Sequence, residues 1–290
     1  MTGGSGGPHD GWPHGATRRL AAFGLVGLGA VLAGLSGCSD VSAAPDVPGS
    51  IEMDALPSPS VVIGDTLRTI DGVVAPVKAI TRNVAGTVIL DAPVRYLYAD
   101  FPRDSALLVD SVSGVVRAVK VARGDARIAA RVSGTLQVIL PLAVTTRPDS
   151  ADRTGQPALS LFTTTLPDTG KSGATANSTP ALTVVVRHVE TPGTSSTVTA
   201  WPVRYELLSP ANPNNDTTKV AWLVDDAGRA SVLDTTDASG VTGRKVRIRA
   251  ANFPAAGVTD SIVVRATVTY RGLALRGAPI RLVFPVKRGN

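Results

Sequence analysis

The stretch Ile262-Val263-Val264-Arg265-Ala266-Thr267-Val268-Thr269-Tyr270 (IVVRATVTY) decides the fold. Ile262, Val264, Ala266, Val268 and Tyr270 fall on one side of a period of two, and Val263, Arg265, Thr267, Thr269 and then Arg271 fall on the other. Side chains alternate across a pleated strand, whereas a helix gathers residues three and four apart. A period of two sustained this long predicts a β-strand with one apolar face. Gly272 and Gly277 mark a turn or bulge after it, and Ile280, Leu282, Phe284 and Val286 repeat the pattern in a closing strand.

Upstream the same signature recurs in shorter pieces. Apolar stretches every eight to twelve residues predict strands over 61–70, 73–80, 84–90, 93–99, 106–110, 114–121, 125–133 and 135–144, the cadence of a β-sandwich. In one hairpin Ile128, Ala130 and Val132 face inward and Arg127 and Arg131 face water. Gly134 then turns the chain into Leu136, Val138, Leu140 and Leu142. Composition agrees: aromatic residues are 4% against 43% apolar, so the core is aliphatic, and 29 Gly with 21 Pro favour turns over helices. A chain of 290 residues is long enough for two domains, each with its own core. The segment 145–180, rich in Thr, Ser, Pro, Gly and Asp, reads as a linker that can hold the first strand of the second domain.

The N-terminus has a different character. Arg18 and Arg19 precede a 16-residue apolar run, 20–35, and Leu35-Ser36-Gly37-Cys38 follows at once. As a helix the run would span roughly 24 Å against a hydrocarbon core of about 30 Å, so a cleaved signal fits better than a permanent span. Leu-Ser-Gly-Cys resembles the lipobox of bacterial lipoproteins, which implies that Cys38 carries diacylglycerol and becomes the first residue after cleavage. Cys38 is also the only cysteine, so it cannot form an internal bridge. Two or three acyl chains would hold the protein firmly, since each buried CH₂ contributes about 0.8 kcal/mol. Thr17-Arg18-Arg19 hints at twin-arginine export, but Leu20-Ala21-Ala22 lacks the larger apolar side chains that usually follow. Asp directly after a lipidated cysteine resembles an inner-membrane retention signal; here Ser39 stands in that place, so outer-membrane delivery is expected.

The two halves echo one another. Pro93-Val94-Arg95-Tyr96 recurs as Pro202-Val203-Arg204-Tyr205, and Leu108-Val109-Asp110 recurs in the same order as Leu223-Val224-Asp225. Residues 61–133, through VVIGDTL, VRYLYAD and ALLVDSVSGVVRAVKVARGDARIAARV, resemble the group 2 bacterial immunoglobulin-like repeats, with Tyr96 where a Trp is usual. Residues 201–270, with Asp234-Thr-Thr-Asp-Ala-Ser-Gly240 followed by Val246 and Ile248, resemble group 1 repeats of the intimin and invasin type. The resemblance implies a surface-exposed spacer or adhesive module without catalytic residues. The expected organisation is all-β: a lipoprotein signal peptide over 1–37, a flexible tether over 38–50, an immunoglobulin-like β-sandwich over 51–147, the linker over 148–180 and a second immunoglobulin-like β-sandwich over 181–290.

Side chains that carry chemistry are scarce. After cleavage only His188 remains of three histidines, with no Gly-x-Ser-x-Gly elbow to serve, so a Ser-His-Asp triad is not expected and His188 reads as a strand-end surface residue. Asp225, Asp226, Asp234 and Asp237 lie close enough in sequence for a glycosidase-type pair or a calcium site. They sit at turn signals, however, where aspartate normally bonds its own backbone, and the calcium-loop spacing is absent. No metal and no cofactor is expected. Trp201 shares a strand face with Val203, Tyr205 and Leu207, and Trp222 shares one with Val220 and Val224, so both are expected in the core rather than on a glycan platform. Arg247, Arg249 and Arg265 read as solvated strand faces. The formal charge of +6 falls by one when Arg18, Arg19 and Asp10 leave with the leader, and no basic cluster stands out, so nucleic acid is not an expected partner. The expected partners are the membrane, through the lipid on Cys38, and a protein or glycan at the cell surface. A glycan-binding module or envelope hydrolase using the acidic turns is the alternative.

Overall fold

The computed structural model describes residues 46–100, 105–122, 124–154, 161–165 and 177–289. The expected signal peptide and Cys38 lie outside the described residues. Residues Ala43–Asn290 form one compact unit, and every regular element among the described residues is a strand.

The first sandwich holds β1 (Pro48–Met53), β2 (Ser60–Val62), β3 (Ala79–Asn83), β4 (Arg95–Tyr98), β5 (Leu107–Val109), β6 (Val116–Ala118), β7 (Ala126–Val132) and β8 (Leu136–Thr145). One sheet runs in the order β2-β8-β7-β4, while β1 with β3 and β5 with β6 form two-stranded ribbons. Leu67, Leu107, Ile128 and Leu142 fill its core.

The second sandwich holds β9 (Ser150–Arg153), β10 (Phe162–Thr164), β11 (Leu182–Thr191), β12 (Thr194–Thr197), β13 (Pro202–Ser209), β14 (Ala221–Val224), β15 (Leu233–Thr235), β16 (Val241–Ile248), β17 (Thr259–Thr267), β18 (Thr269–Tyr270), β19 (Leu273–Ala274) and β20 (Ile280–Arg288). One sheet runs β10-β20-β17-β13-β15; the other runs β12-β11-β16-β14 with β9 also on β11. Lettered by position, the sheets read A′-G-F-C-C′ and A-B-E-D, the spatial order of an immunoglobulin-type sandwich, with β12 added beside B and with the D strand (β14) coming before the C′ strand (β15) along the chain. Tyr205, Leu207, Leu223, Ile248, Ile262 and Leu282 pack between them.

Both sandwiches divide their first strand in the same way. The opening half pairs antiparallel with the second strand, β1 with β3 and β9 with β11, and the next piece crosses to pair parallel with the last strand, β2 with β8 and β10 with β20. The sequence echoes occupy matching places: Arg95-Tyr96 opens β4 and Arg204-Tyr205 lies in β13, each strand pairing antiparallel with its F strand. Leu108-Val109 and Leu223-Val224 end β5 and β14, and the aspartate after each closes a turn. Asp110 accepts from the amides of Val112 and Ser113, and Asp225 from that of Arg229.

The decisive stretch is strand as expected. Ile262, Val264, Ala266 and Val268 are buried in β17 and just past it, and Arg265 is exposed. Val263, on the opposite face, is buried too. Three expectations give way. Residues 73–78 and 84–90 are not strands; β3 covers only 79–83, and Val73, Val74, Val84, Val88 and Leu90 are exposed. The cause is local turn chemistry: the Asn83 side chain accepts from the Thr87 amide at 2.9 Å, and Gly86 adopts φ +82°. β1 begins at Pro48, within the stretch read as tether. Between 148 and 180 the chain supplies both β9 and β10 to the second sandwich.

Candidate functional site

The two sandwiches meet where the β18–β19 hairpin leaves the second one. At its tip Arg271 and Gly272 take φ of +52° and +79°, the two-residue turn of I′ type in which both central residues are left-handed. The tip rests on a turn of the first sandwich, where the Gly72 amide donates to the Thr69 carbonyl at 2.9 Å. The approach is backbone on backbone: a Cβ on Gly72, whose φ is +87°, would lie 2.1 Å from the Gly272 nitrogen. Only glycine fits there.

Asp65 lies at the centre of the joint, buried at 6% exposure. Its carboxylate accepts from the Thr66 amide at 2.8 Å, from Nε and Nη2 of Arg68 at 3.2 Å each, from the Tyr270 hydroxyl at 2.9 Å and from Arg271 Nε at 2.9 Å. Burial pushes this carboxyl upward, but the bonds from Arg271, Arg68, the Thr66 amide and Tyr270 outweigh it and hold the group well below the usual carboxylate range. In return, burial and the hydrogen bond to Asp65 raise the Tyr270 phenol. Around this hub the Thr269 hydroxyl donates to the Ile70 carbonyl at 3.0 Å, Arg204 meets Asp71 at 3.3 Å, and the Trp201 and Tyr270 rings contact edge to face at 6.1 Å. Val62, at the end of β2, belongs to the core of the second sandwich. The gap beside it measures about 20 Å³, room for one water and too small for an organic ligand.

The residues singled out from sequence are not brought to one place. Cys38 lies outside the described residues. Asp225 bonds Arg229, Asp226 pairs with Lys245 at 2.9 Å, Asp234 pairs with Arg244 at 2.9 Å, and Asp237 closes its own turn through Ser239 and Val241. Turn hydrogen bonds hold Asp225 and Asp237 below the ordinary carboxylate value. His188 is half-buried, its Nδ1 2.7 Å from Asp149 Oδ2. That carboxylate also accepts from the Val189 amide at 3.0 Å and pairs with Arg147 at 2.7 Å. A carboxylate orienting a histidine is one part of a hydrolytic triad. The surrounding hollow is lined by Arg147, Asp149, His188, Val189 and Arg276, none of them a hydroxyl or thiol nucleophile.

Trp201 is buried, as its parity predicts, but Trp222 is not in the core. Ala221 and Leu223 point inward from β14, leaving Trp222 on the outer face opposite Arg247, with the Arg249 guanidinium 5.1 Å above its ring. Arg265 pairs with Glu206 on the exposed face. Arg244 escaped the sequence reading although its parity, shared with Thr242, Val246 and Ile248, points inward. It is 8% exposed and ties the two sheets of its sandwich by pairing with Asp234 of β15 and bonding the Leu233 carbonyl.

Fold and joint together define a tandem β-sandwich module whose best-built polar constellation is a clasp between domains. No family model matches the sequence, and no curated protein is similar to it. Among solved structures, domains 4 and 5 of the S-layer protein SbsC are 9% identical over 84% of this chain and 99% of that one, with a TM-score of 0.26. Human protocadherin-24 EC1-2 is 11% identical over 84% of this chain and 99% of that one, also with a TM-score of 0.26. Scores this low carry no argument, and the sandwich assignment stands on the strand order above.

Proposed function

We propose that the chain is a non-enzymatic lipoprotein of the cell envelope, held to the membrane by lipid on Cys38 and projecting two immunoglobulin-like sandwiches as a stiff spacer or adhesion module. The observation that carries this reading is the Asp65 clasp. A buried carboxylate of one sandwich takes two donors from the other, beside a backbone contact that admits no side chain. Such a joint resists bending, which a spacer requires and an isolated pair of linked domains lacks. The apolar leader ending in Leu35-Ser36-Gly37-Cys38 supports export and acylation.

Two measurements test the halves of this reading separately. Palmitate labelling in a bacterial host is expected to mark the wild type and to be lost in Cys38→Ala; label that persists in the variant refutes the anchor. Incubation of the purified protein with envelope glycan is expected to release no product, and turnover abolished by His188→Ala would instead establish a hydrolase.

A further inference from the structure

The end of the first sandwich opposite the joint carries an apolar rim that its own core does not use. The direction of β8 fixes this geometry: it starts beside the 133–135 turn and finishes at Thr145, paired with Val62 near the joint. At the starting end, β1 enters through Pro48, which pairs with Asn83. There Val47, Val84, Val88 and Leu90 stand 54%, 73%, 40% and 89% exposed. Val88 and Leu90 share a hollow with Asp46, Pro48, Pro93 and Ser133, and a Cβ on Gly49 would lie 2.9 Å from the Val84 nitrogen. The apolar side chains therefore surround the point at which the chain leaves toward Cys38.

From this placement we infer that the rim is a bilayer-contacting surface, with Leu90 and Val84 reaching the headgroup boundary of the membrane that holds Cys38. The inference rests on acylation of Cys38. Seven residues, 39–45, separate that cysteine from Asp46, and the eight steps between them reach at most roughly 26–29 Å, so the rim end cannot stray far from the lipid surface. Exposed aliphatic side chains gain by entering the acyl boundary. Charge narrows the surface further. Asp46 and Asp91 line the hollow, and the nearby Arg82 guanidinium donates to the Gly86 carbonyl at 3.2 Å. Arg95 and its cross-strand partner Arg131 are exposed at the same end, so acidic and basic side chains are mixed around the rim, which suits zwitterionic headgroups such as phosphatidylethanolamine, with a phosphate and an ammonium each.

The test uses the full acylated protein, in which lipid occupies the only native cysteine, so that Leu90→Cys supplies a single reactive thiol for an environment-sensitive label. Val258→Cys is the control, an exposed apolar position at the far end of the second sandwich, next to the start of β17. On vesicles of phosphatidylethanolamine and phosphatidylcholine, the label at Leu90 is expected to shift to the blue and to lose its quenching by aqueous iodide several-fold, while the label at Val258 changes in neither respect. Acylated protein that floats with the vesicles while the Leu90 label keeps its aqueous emission refutes the rim and leaves the anchor standing. Protein whose intact mass shows no acyl group removes the anchor, and the rim inference with it. Protection of Leu90 that grows with protein concentration in the absence of vesicles assigns the rim to a second copy and overturns the bilayer reading.

Discussion

Replacing Asp65 with asparagine keeps the shape of the side chain and removes its charge. The amide oxygen can still accept from the Thr66 amide, but the other position becomes an NH₂ facing Arg68 Nε, Tyr270 and Arg271 Nε. A hydrogen bond to a charged group contributes about 1.5–3 kcal/mol. The Arg271 side chain is 52% exposed, so water takes over part of its partnership and its bond belongs at the low end. Arg68, at 26%, loses more. Together these give about 3 kcal/mol, the lower edge of what breaking a buried ion pair costs. For a chain of this size that lowers the unfolding midpoint by roughly 6–12 °C. Scanning calorimetry reads the midpoint, and ¹⁵N relaxation reads whether the sandwiches still tumble together. A midpoint within about 2 °C of wild type, with unchanged relaxation, would refute the reasoning that the clasp holds the joint.

Gly72→Ala places a methyl group against the Gly272 backbone in a left-handed conformation, which alone costs about 1–2 kcal/mol; calorimetry should show destabilisation and relaxation a looser joint, and an unchanged profile contradicts the contact. Leu223→Ala empties a fully buried site and should cost about 2–5 kcal/mol in denaturant unfolding, whereas Trp222→Ala removes an outer-face ring and its arginine contact for about 0.5–1 kcal/mol. The reverse ranking would mean that β14 presents its other face to the core. The carboxyl of Asp65 is depressed in the folded state, so its contribution is present above the unfolded carboxylate value of about 3.9 and is lost as pH falls below it toward the folded value. Stability measured from about pH 5 downward should therefore fall more steeply in the wild type than in Asp65→Asn, and parallel curves contradict a charged clasp.

The parts of the fold legible from sequence are those in which one strand declares itself. β17 and β20 alternate long enough to need no partner for their reading, and the repeated Pro-Val-Arg-Tyr segments mark equivalent places in both sandwiches. Short apolar runs are less informative: Val84, Val88 and Leu90 share the composition of a strand, yet a turn stabilised by Asn83 leaves them in water. Trp222 misled because Val224 shares its parity and is buried, whereas Leu223 is the residue that enters the core. The joint was the least legible. Asp65 and Tyr270 are separated by 205 positions, and an Asp in Gly64-Asp65-Thr66 looks like any other turn aspartate until a hairpin from the second sandwich is placed over it. Its only local trace is Tyr270-Arg271-Gly272, a turn that presents a phenol and a guanidinium side by side.

The central claim is that one buried carboxylate makes two sandwiches a single stiff body. Spin labels at Thr135→Cys and Val258→Cys, in a Cys38→Ser background, report the end-to-end distance by pulsed dipolar spectroscopy. A single narrow distribution that broadens when Asp65→Asn is added is the predicted result; a broad distribution already present with Asp65 intact would contradict the account.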